Sequence, residues 1–489
     1  MHLRSTAATV LCAATVISTV GMAPAAAAPG GVTAPRTTST SKDDFNGDGR
    51  PDVVISAPEA TVNGAERAGF ITAVYGSESG LDPAKGTVIS RAGENIPGEP
   101  VADERFGRGI LTSGDIDSDG YADLIMASGS DAGFTVLWGS AAGLTSGTRV
   151  SDLGNLVLWT ASGDTGDFNG DGHTDIAVPA HQFHTSGGIA IMYGPFNRAK
   201  GTFASTSFRS TWGKDKFRTQ DVSAGDVNHD GRTDLIGSGQ DMSNPSPGPY
   251  RSFVYLGTSS TTGDSGGLAK SSEVTWGYEQ TLGDLNGDGY QDVVANMHKD
   301  GYTESRTGGW INVTYGGPKG LSTTLKPRKY SQATAGVPGI AEKNDWWGYD
   351  VSIGDTDGDG FGDLAVTALN ETGTDPARTS LAGAVTILRG SASGVTTEGA
   401  EVITQNTAGV PSASENNDHF GSAIRLVDTN GDGRSELVAG GRGEDGFTGR
   451  AWILPGSPAG VTGSGSVSFN GTAFGMPKGR AWYGAYMNG

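Results

Sequence analysis

The stretch Asp355-Thr356-Asp357-Gly358-Asp359-Gly360-Phe361-Gly362-Asp363 places carboxylates at positions 1, 3, 5 and 9 of a short loop, with glycine at position 6. Glycine there allows a sharp turn that a Cβ would resist. Hard oxygen ligands at this spacing, completed by the position-7 carbonyl, suit Ca²⁺, which takes about 6–8 oxygens at roughly 2.3–2.6 Å. The pattern occurs seven times, starting at Asp44, Asp115, Asp167, Asp226, Asp284, Asp355 and Asp428. Position 3 is Asn46, Asp117, Asn169, Asn228, Asn286, Asp357 and Asn430. Position 5 is Asp48, Asp119, Asp171, Asp230, Asp288, Asp359 and Asp432. Position 9 is Asp52, Asp123, Asp175, Asp234, Asp292, Asp363 and, as the one departure, Glu436. These 28 residues are the expected metal ligands, for up to seven Ca²⁺ ions.

An EF-hand loop wants an acid at position 12 and helical flanks. Position 12 here is Ile55, Met126, Val178, Gly237, Ala295, Val366 and Ala439. Short apolar, β-branched runs follow each loop, so the loops join strands rather than helices. Asp, Asn and Gly also build ordinary turns without metal. Seven copies in one ligand register, each abutting a strand, favour metal over that plainer reading. The loops at Asp115 and Asp355 carry four carboxylates and are expected to bind best, and the loop ending in Glu436 least well.

Working outward, an aromatic residue lies eight or nine positions before most loops, usually beside glycine: Phe106-Gly107, Trp276-Gly277, Trp347-Gly348 and Phe420-Gly421. Trp159 and Phe217 keep the aromatic without the glycine. Downstream, an alternating apolar strand ends in a Gly-x-x-x-Gly turn, as at Gly76–Gly80 and Gly139–Gly143, and a fourth apolar stretch follows, as at Thr87-Val88-Ile89. Each unit thus holds about four strands. Repeated four-stranded units are the signature of a β-propeller. The expected fold is all-β: a seven-bladed propeller over residues 43–489, its aromatic-glycine pairs packing between blades. The first unit lacks an inner strand, and the tail Arg480–Gly489, with Trp482 in the aromatic position, is expected to supply it and close the ring.

Aromatic-glycine, acidic loop and apolar strand, recurring in that order, resemble the FG-GAP repeats of integrin α-subunit propellers and their secreted bacterial relatives. The resemblance implies Ca²⁺ in loops between the first and second strands of blades, on the lower face, with ligands meeting the upper face. Integrin α-chains carry only a few metal-binding blades, whereas all seven loops here have the ligand pattern.

Residues 1–28 resemble a secretory signal peptide: Arg4, an apolar run from Thr6 to about Met22, and Ala25–Ala28, with cleavage expected after Ala27. Residues 29–42 are small, polar and Pro-containing, and read as a flexible lead-in. The single cysteine, Cys12, falls in the leader, so the secreted form relies on core packing and metal rather than disulfides. The net charge of −20 argues against nucleic acid and anionic membranes as partners. No apolar run beyond the leader is long enough to span a bilayer.

Catalytic constellations are weak. The Gly-Ser-x-x-Gly turns have Glu78, Ala141, Ala392 and Pro458 where a nucleophile elbow needs serine. His173 and His229 sit within acidic loops; His181 and His184 share one upper-face connection; His298 and His419 occupy comparable ones. The expectation is a secreted, monomeric, non-enzymatic recognition or adhesion module for an extracellular protein or polysaccharide. Its candidate contacts lie in the connections 93–105, 239–250, 297–308, 336–347 and 409–419, with Tyr250, Tyr302, Trp346 and His419 foremost. The alternative is a calcium-dependent polysaccharide hydrolase or lyase on the same scaffold, because fold alone does not decide function.

Overall fold

A computed structural model describes residues 42–127, 133–150, 153, 156–158, 162–182, 187–243, 250–260, 267–298, 308–373 and 380–488. The leader and residues 29–41 of the lead-in lie outside these residues, as do Trp159, His184 and Tyr302.

Among the described residues seven antiparallel sheets of three or more strands follow one another, with two-stranded ribbons added in blades 5 and 7. Blades 2, 4, 5, 6 and 7 each have four strands in simple order from the inside out. Blade 6 is representative, with strands Trp347–Gly354, Asp363–Ala368, Ala384–Arg389 and Thr396–Ile403. In blade 3 the inner strand is split into Leu156–Leu158 and Asp164–Gly166, both paired with Asp175–Gln182. Blade 1 contributes three strands, Val53–Ala57, Phe70–Val74 and Thr87–Ile89. The fold is thus a seven-bladed β-propeller with almost no helix.

The C-terminal segment supplies the missing inner strand. Ile55 bridges Met487 in antiparallel fashion. Ser56 N–H donates to Tyr486 O at 3.0 Å, and Asn488 N–H donates to Val54 O at 3.3 Å. One detail of the expected register is corrected. Tyr483, not Trp482, takes the inter-blade aromatic seat, fully buried, and Gly484 beside it has φ 85°, matching Gly107, Gly348 and Gly421 at 88°, 82° and 86°. At Gly421 and Gly107 the left-handed turn also brings the backbone against the neighbouring blade, where a Cβ would meet Thr367 or Ile71. Trp482 is left half-buried at the upper rim.

The apolar core consists of wedges between adjacent blades. Val53, Ile55 and Phe70 of blade 1 pack with Val438 and Ile453 of blade 7 and with Tyr483. Val385 and Ile387 of blade 6 meet Phe420, Leu437 and Trp452 of blade 7. Phe106, Phe217, Trp347 and Phe420 all sit in such wedges. Trp276 does not: it is half-buried and stacks on Tyr250, with ring centroids 4.5 Å apart. The inner strand of blade 5 is only Gln280–Gly283, so the chain at Trp276 has not yet entered the sheet.

Alternation of strand direction fixes the two faces. Connections between strands 1 and 2 and between strands 3 and 4 leave at one end, so the acidic loops and the Gly-x-x-x-Gly turns share the lower face. Connections between strands 2 and 3, and from one blade to the next, share the upper face.

Candidate metal loops and upper-face aromatic arc

Each acidic loop folds around its own backbone. The position-1 carboxylate accepts N–H groups from positions 4 to 6: Asp44 takes Gly47 at 2.6 Å, Asp48 at 3.0 Å and Gly49 at 2.8 Å. The position-5 carboxylate accepts from position 7, as Asp48 does from Arg50 N–H at 2.9 Å. Such self-bonding is what Asp and Asn do in tight turns. Position 5 is exposed in all seven loops, while position 9 is buried.

Position 9 has a structural duty that spacing alone does not reveal. Asp52 accepts Phe45 N–H and Gly76 N–H, each at 2.8 Å, pinning its loop to the turn that ends strand 3. Asp123, Asp175, Asp234, Asp292 and Asp363 make the same two bonds, to Gly139, Gly194, Gly257, Gly316 and Gly390. Glu436, one methylene longer, bends back to Thr429 and Asn430. Burial, followed by the charges of Asp44 and Asp48, pushes the Asp52 carboxyl up to about 8. Asp175, Asp234 and Asp292 are raised by burial to about 7. A buried carboxylate beside two others takes up positive charge readily.

The loops are also stitched to one another. The position-8 N–H of one loop donates to the position-1 carbonyl of the loop before it, as in Ala122 to Asp44 (2.9 Å) and Thr233 to Asp167 (2.8 Å). The strand 3–4 turn donates to the previous loop's position-2 carbonyl, as in Ser140 to Phe45 (3.0 Å). Ser77 to Thr429 (3.1 Å) carries the stitch from blade 1 back to blade 7. Tyrosines add a further link: Tyr75 Oη accepts Leu144 N–H, and Tyr315 Oη accepts Val395 N–H, each from the next blade.

The donor set fits a hard cation. Carboxylate oxygens of Asp115, Asp117 and Asp123 lie within 4.8 Å of one another, as do those of Asp355, Asp357 and Asp363. Asp117 Oδ1 is buried without a hydrogen-bond partner, as a ligand atom awaiting a cation would be. The other five loops replace one carboxylate by an asparagine, whose amide oxygen is also a Ca²⁺ ligand type.

On the upper face, Tyr250, Trp276, Tyr278, His298, Trp346 and Tyr349 form an unbroken run of ring contacts from blade 4 to blade 6, with centroids 4.5–6.0 Å apart. Arg442 continues it, lying 6.0 Å from the Tyr349 ring and 5.6 Å from Trp482, and Arg480 covers the other end of Trp482 at 5.6 Å. Tyr250 and Trp346 were legible as contact residues; Trp276, Tyr278, Tyr349 and Trp482 were not, because the run is assembled across several blades. His419 lies beside Arg442, and burial together with that charge holds its imidazole down at about 4. His181 is the penultimate residue of the strand Asp175–Gln182 in blade 3, the blade before the one that carries Tyr250.

An axial cavity of about 730 Å³ is lined by the inner strands, including Asp164, Asp221, Glu279, Asp350 and Arg425. Burial and then neighbouring acids push Asp221 and Asp350 up to about 7.

Comparison with known proteins gives the same repeats. An FG-GAP-like repeat model matches residues 115–178, and an FG-GAP repeat model matches 37–74, 347–388 and 420–454. Human integrin alpha-6 is 32% identical over 140 residues, which is 29% of this chain and 10% of that relative. The chain therefore aligns with only about a tenth of that relative's length. A solved structure of a triple arginine-to-alanine mutant of AofleA from Arthrobotrys oligospora aligns at 10% identity and a TM-score of 0.33, covering 74% of this chain and 91% of that one.

Proposed function

We propose that this propeller of FG-GAP repeats is a secreted, Ca²⁺-stiffened recognition module, acting as a monomer on an extracellular protein or polysaccharide. Among the described residues no helix is long and apolar enough to cross a membrane. In this reading positions 1, 3, 5 and 9 of the seven loops hold the ions, from Asp44, Asn46, Asp48 and Asp52 through to Asp428, Asn430, Asp432 and Glu436. Bound Ca²⁺ offsets the repulsion of three or four carboxylates per loop, so metal binding contributes directly to folding.

The observation that carries recognition is the aromatic arc from Tyr250 to Trp482, set opposite the loop face. Half-buried aromatic and arginine side chains on a rigid frame provide large contact area at little entropic cost. The supporting experiment incubates the Ca²⁺-loaded protein with a panel of soluble polysaccharides and follows both components by size-exclusion chromatography. Intact polymer co-eluting with the protein, and lost from a Trp346→Ala/Trp482→Ala variant, supports carbohydrate recognition. Shortened polymer replaces this reading with the hydrolase or lyase. Neither result points to a protein ligand. A melting temperature unchanged by chelator at neutral pH would sink the metal assignment.

A further inference from the structure

Two of the seven loops have an arginine from outside the loop seated at their position-3 and position-9 carboxylates, whereas loops 4 and 7 carry an arginine at position 7, Arg232 and Arg434, that lies against position 5, 3.4 Å from Asp230 and 3.1 Å from Asp432. Loops 2 and 6 are the ones with aspartate at position 3. In loop 2 the Arg198 guanidinium, reaching over from the strand 3–4 turn of blade 3, pairs with Asp117 and lies 2.9 Å from Asp119 and 3.8 Å from Asp123. The face of Trp138, 4.1 Å away, backs it. In loop 6 Arg389, only 11% exposed, lies 3.6 Å from Asp357 and 3.0 Å from Asp363. It is held there by Glu401 at 3.1 Å and by the Ala459 carbonyl of blade 7 at 2.8 Å.

The other five loops have a neutral donor in that role. Asn46, Asn169, Asn228 and Asn286 each donate their amide to the position-5 carboxylate at 2.9–3.3 Å, and Asn430 donates to Glu436 at 2.9 Å. An asparagine amide can rotate to offer its oxygen to a metal. A guanidinium has donors only and stays charged at every accessible pH. Loops 2 and 6 therefore differ from the rest by an added position-3 carboxylate and by an arginine that reaches positions 3 and 9, whereas Arg232 and Arg434 meet the exposed position-5 carboxylates of loops 4 and 7.

We propose that Arg198 and Arg389 are built-in counter-cations seated at the ligand carboxylates of loops 2 and 6, so that these loops bind Ca²⁺ more weakly than the five asparagine loops. This rests on the metal reading above, and it reverses the order that counting acids gives. Ca²⁺ entering loop 6 must break charge-assisted bonds at Asp363, which already accepts from Thr356, Arg389 and Gly390. Losing such bonds lowers affinity by about tenfold or more.

The test is isothermal titration of the full metal-free chain with Ca²⁺, comparing wild type with Arg198→Gln and Arg389→Gln. Wild type is expected to show a tight class of sites and a weaker class of two, about tenfold or more apart. Each substitution moves one site from the weak class to the tight class. Arg389 also links blade 6 to blade 7, so if Arg389→Gln does not fold, Arg198→Gln decides. Equal sites in wild type, or sites unchanged or weakened in Arg198→Gln, overturn the proposal while leaving the metal reading intact. No Ca²⁺ binding by wild type overturns both.

Discussion

Asn488 clasps Asp43 across the closure of the ring: its side-chain amide donates to Asp43 Oδ1 at 2.8 Å, and its Oδ1 accepts Val54 N–H at 2.7 Å. Arg425 of blade 7 pairs with the same Asp43 and donates to the Asn488 carbonyl at 2.6 Å. One side chain thus joins the C-terminal segment to blade 1, with blade 7 bound to both.

Asn488→Ala leaves the Val54 N–H without its partner in a buried site and takes one of two donors from Asp43 Oδ1, which keeps Ser113 Oγ. We expect a loss of about 2–3 kcal/mol in urea unfolding. Deleting residues 478–489 should lower stability much further, because it also removes Tyr483 from its wedge and uncovers the edge of Val53–Ala57. An unchanged melting temperature in the deletion would refute the closing role.

The clamp at position 9 predicts an order among substitutions. Asp234 accepts Val227 N–H at 3.1 Å and Gly257 N–H at 2.9 Å. Asp234→Ala strands both donors and should cost about 2–5 kcal/mol, while Asp234→Asn keeps one acceptor and should cost about half as much. Measuring both with excess chelator separates the clamp from metal binding. Equal, small losses would show that the two hydrogen bonds contribute little.

Gly360 and Gly394 share a φ of +89° but differ in what surrounds them. A Cβ at Gly360 meets nothing within 4 Å, whereas at Gly394 it runs into Tyr315 Oη. Gly360→Ala should therefore cost only the backbone strain, about 1–2 kcal/mol. Gly394→Ala adds overpacking, for about 1–3 kcal/mol more. Denaturant midpoints of the two variants check this, and the reverse order would contradict the inter-blade contact.

Asp350 lines the axial cavity, and burial, then Glu279, raise its carboxyl from an ordinary 3.8 to about 7. Between those values the folded chain binds a proton that the unfolded chain does not, so its contribution to stability falls as pH rises from 4 to 7 and is level above that. Asp350→Asn should remove the slope. The check is urea unfolding of wild type and variant from pH 5 to 8 in saturating Ca²⁺. Wild-type stability minus that of the variant should fall steadily toward pH 7 and then stay constant. A difference independent of pH would show that Asp350 is already ionised at pH 5.

The strand order, the seven loops and the closing segment were legible because each depends on local pattern: alternation, turn residues and a repeated interval. The seat of Tyr483 was missed by one residue, since Trp482 is equally aromatic and only the left-handed Gly484 distinguishes them. The stitches from Ala122 to Asp44 and from Ser77 to Thr429 are backbone to backbone, so no side chain advertises them. Arg198 and Arg389 look like ordinary surface charges in sequence, and only the fold brings them to Asp117 and Asp363. The arc from Tyr250 to Trp482 joins residues of several blades, and only the fold brings their rings together.

Closure at Asn488 also sets a schedule for synthesis. Ser56 and its partner Tyr486 stand 430 residues apart. Blade 1 is translated before the other six blades, yet its inner strand follows all of them. Throughout elongation the strand Val53–Ala57 therefore presents an unpaired edge, open to any passing strand. That edge stays open until residues 478–489 have been made.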